Sequence, residues 1–217
     1  MKKFLLIAIL LLQMSYIFAQ TSIDVYAEGM AECMGAENFE TFSTLFEAVD
    51  ERLAERMKNS ENPYFDFSVE FCDGKIGDDF FAVEENSELD AAVKRTLATD
   101  FWFTDTIDIS DTQPEFEVVP PGGIPPKIDP DSIENTRLKP GCEFISCSKI
   151  FALHRVIATY YGRYDLLGMA GSETKLCGLL ELFDAPDFEL NSVKYFIITD
   201  VILQRILHKN DYQNFIK

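Results

Sequence analysis

The stretch YFDFSVEFCDG, Tyr64–Gly74, decides whether this chain folds from helices alone or also carries a sheet. Phe65, Phe67, Val69 and Phe71 alternate with Asp66, Ser68, Glu70 and Cys72. Successive side chains of a strand point to opposite faces, so this alternation predicts a half-buried strand with Cys72 turned away from the phenylalanines. Asp73-Gly74 predicts a turn, and DDFFAV, residues 78–83, returns as the second strand of a small hairpin.

On both sides the period becomes helical. Upstream, Ile23, Tyr26, Ala27, Met30, Cys33 and Met34 recur at helical spacing, and Gly35 suits a left-handed cap. Phe39, Phe42, Leu45, Phe46, Val49, Leu53 and Met57 then form one continuous stripe. Asn38 can cap that helix, with Glu37 and Glu40 near its positive end and Arg56 and Lys58 near its negative end. Downstream, NSELDAAVKRTLATD, residues 86–100, predicts a helix opened by Asn86 or Ser87 that buries Leu89, Val93 and Leu97.

The composition then changes. Seven of the nine prolines lie between Pro114 and Pro140, and residues 104–135 hold eight acids against one lysine. PPGGIPP, residues 120–126, can neither continue a helix nor sit inside a sheet. Residues 104–141 therefore read as a solvated acidic connector.

Beyond it, Ile145–Tyr161 reads as one helix, apolar over most of its girth apart from Ser148, Ala152, Arg155 and Thr159. A helix of that kind belongs in a core. YDLLGMAGSETK, residues 164–175, reads as a loop, and residues 174–183 as a short helix carrying Cys177. FELNSVKYFIITDVILQRILHKN is apolar nearly all round. Its segment 193–199 fits strand or helix by periodicity, and helix is the choice here.

The expected fold is α+β and mainly α-helical. It has about five helices and the small β-hairpin, arranged as two lobes, 20–103 and 142–217, joined by the connector 104–141. The opening MKKFLLIAILLLQMSYIFAQ has a basic start at Lys2 and Lys3, an apolar run from Phe4 to Leu12, and Ala19 before Gln20. That is the layout of a cleavable signal peptide over residues 1–19, so the chain is expected to be secreted or periplasmic. The rival reading, an uncleaved anchor, has an apolar run near the lower limit for spanning a bilayer, interrupted by Gln13 and Ser15.

Cleavage removes two of the 19 basic residues and none of the 37 acidic ones, leaving a net charge near −20. Such a surface repels phosphate backbones and anionic headgroups. No nucleic-acid partner is expected, nor a membrane association after cleavage. A protein partner, a basic one in particular, remains compatible with the charge.

All five cysteines, Cys33, Cys72, Cys142, Cys147 and Cys177, survive signal removal and are disulfide candidates. The odd count leaves at least one unpaired or joined to another chain. Within one helix Cys142 and Cys147 would stand about 7.5 Å apart along the axis. That exceeds the usual Cα separation of about 4.4–6.8 Å in a disulfide. Pro140-Gly141 suggests that Cys142 precedes the helix, so a bend makes Cys142–Cys147 the favoured local staple. A Cys33–Cys72 bridge, a bridge to Cys177, or distant pairs tying the lobes together are the other options.

Reactive chemistry lacks its usual parts. The CxxxxC spacing is not the redox CxxC. A structural zinc site needs close pairs of ligands, and the two histidines, His154 and His208, are far apart. Cys147 and His154 on one helix would lie about 10.5 Å apart along the axis, too far for a nucleophile–base pair. DPDSIEN places Asp129 and Asp131 at the first two ligand positions of a calcium loop, but Ile133 replaces the third. A cation at Asp129, Asp131 and Glu134 would need an irregular site. GMAGSETK lacks the G-x-S-x-G elbow, and no P-loop, dinucleotide fingerprint or HExxH occurs.

No cofactor is expected. The sequence reads as an exported, non-catalytic interaction or structural module stabilised by disulfides. The rival is an exported hydrolase-type enzyme whose dispersed site is built around His154 with nearby acids.

Overall fold

A computed structural model describes residues 26–107, 133–168, 170–210, 212 and 215–216. Helix α1 covers residues 26–34. It is followed by α2 (Ala36–Arg56), α3 (Pro63–Cys72) and α4 (Glu88–Leu97). Strands β1 (Trp102–Ile107) and β2 (Ile133–Leu138) come next. The second half contains α5 (Glu143–Phe151), α6 (Arg155–Gly162), the single turn α7 (Tyr164–Leu167) and α8 (Ser172–Leu180). The last helix begins as α9 (Asn191–Ile197), passes through a π turn (Ile198–Ile202) and ends as α10 (Leu203–Lys209).

The chain is thus mainly helical with a small antiparallel sheet, but nine α-helical segments follow α1 among the described residues, where about five helices were expected in all. The expected helix over Ile145–Tyr161 is broken at residues 152–154 into α5 and α6. Part of the expected loop, Tyr164–Leu167, is α7. Segment 193–199 is helical, as chosen.

The hairpin expected at residues 65–83 is corrected. Residues 63–72 form α3 and Asp78–Phe81 a 3₁₀ turn. The local signal was Asn62-Pro63: the Asn62 side chain accepts a hydrogen bond from the Phe65 N–H at 3.3 Å, and Pro63 loses nothing in a first turn whose N–H groups lack helical partners. The helix buries Tyr64, Phe67, Ser68 and Phe71, an i, i+3, i+4, i+7 set that the alternation concealed. Phe65, off that stripe, packs edge-on against Phe188 instead.

The two strands flank the proline-rich segment 108–132 in sequence. They pair antiparallel from Trp102↔Leu138 to Ile107↔Ile133, with the Thr104 and Thr136 hydroxyls 3.0 Å apart across the ladder. Ile107 and Ile133, the described residues that flank segment 108–132 in sequence, are therefore paired side by side.

One apolar cluster draws on α1 and on every longer helix. Phe42 of α2, wholly buried, stacks on Phe144 of α5 at 4.7 Å between ring centres and lies close to Trp102 of β1. Each large side chain sealed in this way contributes about 1.5–3 kcal/mol. Tyr26 of α1 is buried against Tyr195 of α9, and its hydroxyl lies 3.3 Å from Ser148 of α5. The residues before and after segment 108–132 thus share a core.

Two disulfides reinforce that sharing: Cys33–Cys147 joins α1 to α5 and Cys72–Cys177 joins α3 to α8. The local Cys142–Cys147 staple is thereby corrected. Cys142 is the residue that caps α5, Cys147 lies inside the helix facing α1, and Cys142 carries the free thiol. At the other end Tyr212 donates to Asp90 of α4 at 2.9 Å. Among the described residues no helix is long and apolar enough to cross a membrane.

Candidate functional site: a sealed carboxylate beneath a π turn

The most unusual chemistry lies where the last helix widens. In the π turn the Leu203 N–H bonds to the carbonyl of Ile198, five residues back rather than four. Turns of this kind occur frequently at functional sites. All five residues from Ile198 to Ile202 are buried, and Asp200 among them is entirely sealed.

A buried carboxylate survives only if other groups replace its lost water. Here they come from several elements. Tyr160 of α6 donates its hydroxyl hydrogen to Asp200 Oδ1 at 2.8 Å, and Tyr161 donates to Oδ2 at 3.2 Å. The Thr199 hydroxyl lies 3.1 Å from Oδ2. Lys175 of α8 places Nζ 3.5 Å from Oδ1, with its side chain only 1% exposed, and donates to Gln204 Oε1 at 2.9 Å.

The energetics follow from exclusion of water. Burial, with the Asp200 charge added to it, pushes the hydroxyls of Tyr160, Tyr161 and Tyr164 well above the ordinary tyrosine value, so they keep their protons. Burial holds the Lys175 ammonium below its usual range, and the attraction of Asp200 offsets this in part. The cluster therefore combines an acceptor, a lysine made easier to deprotonate, and hydroxyl donors aimed at both carboxylate oxygens. No group of three or more metal-ligating side chains forms among the described residues.

The residues singled out in the sequence fall elsewhere. His154 precedes α6 and accepts the first helical hydrogen bond, from the Ala158 N–H, at its carbonyl. Its ring packs on Phe183, with Nε2 3.4 Å from Asp187 Oδ2 and Nδ1 buried without a partner among the described residues. His208 is exposed in the last turn of α10, where a basic group suits the helix dipole. Asp129 and Asp131 lie outside the described residues, and Glu134 is described only as a backbone position in β2.

Cys142 lines a cleft of about 520 Å³ with Asn38, Phe101, Lys139, Gly141 and Glu143. Burial pushes its thiol up to about 11, against the opposing pull of the Ile145 and Phe144 backbone N–H groups. A thiol so raised is a weak nucleophile near neutral pH. A second cleft of about 530 Å³ is lined by Glu51, Glu55, Glu84 and Glu88 around Arg52. Arg52 is already engaged, donating to the carbonyls of Asp79 and Ala82 at 3.1 and 2.7 Å.

Sequence reasoning missed Asp200 and Lys175. The available signals were an aspartate inside the apolar run FIITDVIL and the adjacent tyrosines of TYYGRY. Compared with protein-family profiles, with curated proteins and with solved structures, the chain matches none.

Proposed function

We propose that the protein is an exported, non-catalytic binding module, fastened by two disulfides and acting through a protein partner. The observation that carries this reading is where large apolar side chains remain exposed. Among the described residues, Ile150, Leu153, Leu166, Leu167 and Leu182, on or beside α5, α7 and α8, account for five of the six, with Phe215 the sixth. Large apolar side chains left exposed favour macromolecular contact where they gather into one surface. The strong negative charge of the chain adds a preference for a partner whose apolar face is rimmed by lysine or arginine. The burial of Asp200, Lys175, Tyr160 and Tyr161 also supports a role other than turnover of a soluble substrate.

The test is capture of a partner from the native extracellular or periplasmic fraction by the mature chain, beside a variant carrying Ile150→Ser, Leu166→Ser and Leu167→Ser. A specific protein retained by the first and lost by the second, at unchanged thermal midpoint, supports the reading. Equal behaviour of the two overturns it. The hydrolase alternative draws on one observation, the contact of His154 with Asp187. Hydrolysis of ester or peptide substrates that is abolished in His154→Ala would favour it.

A further inference from the structure

We propose that Lys175 and Asp200 join, after folding, in an isopeptide bond between Lys175 Nζ and Asp200 Cγ. The bond is independent of the binding role above.

The geometry supplies what an uncatalysed amine and acid lack in water. The two side chains are 1% and 0% exposed, and the nitrogen already stands 3.5 Å from a carboxylate oxygen. Holding two reactants at such a distance removes the entropic cost of their encounter. Lys175 arrives from α8 and Asp200 from the π turn, so the contact is made between separate elements of the fold.

The step balances without an external reagent. One ammonium proton passes to the carboxylate, giving a neutral amine and a neutral acid. The amine lone pair attacks Cγ, forming the Nζ–Cγ bond. The tetrahedral centre collapses with rupture of one Cγ–O bond. That oxygen leaves as water, carrying the carboxyl proton and a second nitrogen proton. The product amide keeps one N–H, which Gln204 Oε1, now 2.9 Å from Nζ, is placed to accept.

Burial favours each stage. Desolvation disfavours the charged lysine and so raises the share of free amine. Tyr160 and Tyr161 aim hydroxyl hydrogens at the two carboxyl oxygens, where negative charge develops in the tetrahedral intermediate. In water the ionised pair is held back by hydration of both charges. Inside the protein that hydration is gone, while the product is neutral and the released water returns to solvent.

Intact mass of the mature chain, folded as judged by its helical circular dichroism and then reduced and alkylated, decides the matter. The expected result is a mass about 18 Da below the sequence value, the loss of one water. Peptide mapping should yield a single branched fragment joining the peptide of Lys175 to that of Asp200. Lys175→Arg and Asp200→Ala should restore the full mass. Asp200→Asn should still couple, losing ammonia, about 17 Da, instead of water. A folded wild-type chain that gives separate, unmodified peptides for the two residues overturns the proposal.

Discussion

Cys72 and Cys177 are joined across 105 residues of sequence, with their Cα atoms 5.6 Å apart, so that α3 and α8 are fastened from opposite sides of the acidic segment. A bridge closing a loop of that size removes much freedom from the unfolded chain, about 4.7 kcal/mol in the chain-entropy account. Replacing both cysteines by serine should lower stability by about 4–5 kcal/mol in urea titration. Cys142→Ser should change it by far less. In the native chain Cys142 should resist a thiol reagent at pH 8, since burial raises its pKa to about 11. Rapid labelling of Cys142 in the folded protein would contradict its described environment.

Removing one hydroxyl from the carboxylate cluster should be costly despite the small change in volume. Tyr160→Phe deletes the hydrogen bond to Asp200 Oδ1 and leaves that oxygen with no water to take its place. Leaving a buried acceptor without its donor costs about 1–3 kcal/mol, and a loss in that range is expected from denaturant unfolding. Thr159→Ala, one residue away on the exposed side of α6, should leave stability nearly unchanged.

Alkaline pH should unfold the chain steeply. Tyr26, Tyr64, Tyr160, Tyr161, Tyr164, Tyr195 and Tyr212 are all raised, in each case chiefly by burial, with Tyr195 pushed up to about 12. A group whose pKa is higher in the folded state keeps its proton where the unfolded chain has released it. Its contribution to stability is therefore complete below about pH 10 and is lost as pH rises above that value. Absorbance at 295 nm should show no tyrosinate from these seven residues in the folded chain at pH 10, then a cooperative rise that coincides with loss of helical signal. Gradual ionisation near pH 10 with the helices intact would refute it.

Gly29 of α1 has no room for a methyl group. A Cβ there would meet ring atoms of Phe151 at 2.5, 2.7 and 2.9 Å. Gly29→Ala should force Phe151 aside and cost about 1–3 kcal/mol, outweighing the usual gain in helix propensity from alanine. Pairing it with Phe151→Ala removes the clash, so the double variant should be less destabilised than the two single losses added together. A thermal midpoint for Gly29→Ala at or above wild type would contradict the packing of α1 on α5.

Legibility in the sequence followed the locality of each signal. The α2 stripe was plain because seven apolar positions repeat along one face at helical spacing, a pattern that is visible without knowing which distant residues cover it. FDFSVEF was misread because its phenylalanines satisfy a two-residue period as well as a helical one, and the Asn62-Pro63 start carries the deciding information. The real strands were hidden because TDTI and ENTRL are polar and border a proline-rich stretch. The number of cysteines limited the bridges, but their pairing depends on how α1 meets α5 and how α3 meets α8. Asp200 and Lys175 were invisible as a pair, since burial of a charge is created by tertiary packing and not by neighbours in sequence.

Both bridges, Cys33–Cys147 and Cys72–Cys177, join a residue that precedes segment 108–132 in sequence to one that follows it, and Ile107 pairs with Ile133. Hydrolysis of a peptide bond anywhere in that segment would thus yield a two-chain protein whose halves stay covalently attached. Such a clipped form would migrate as one species without reductant and as two fragments with it.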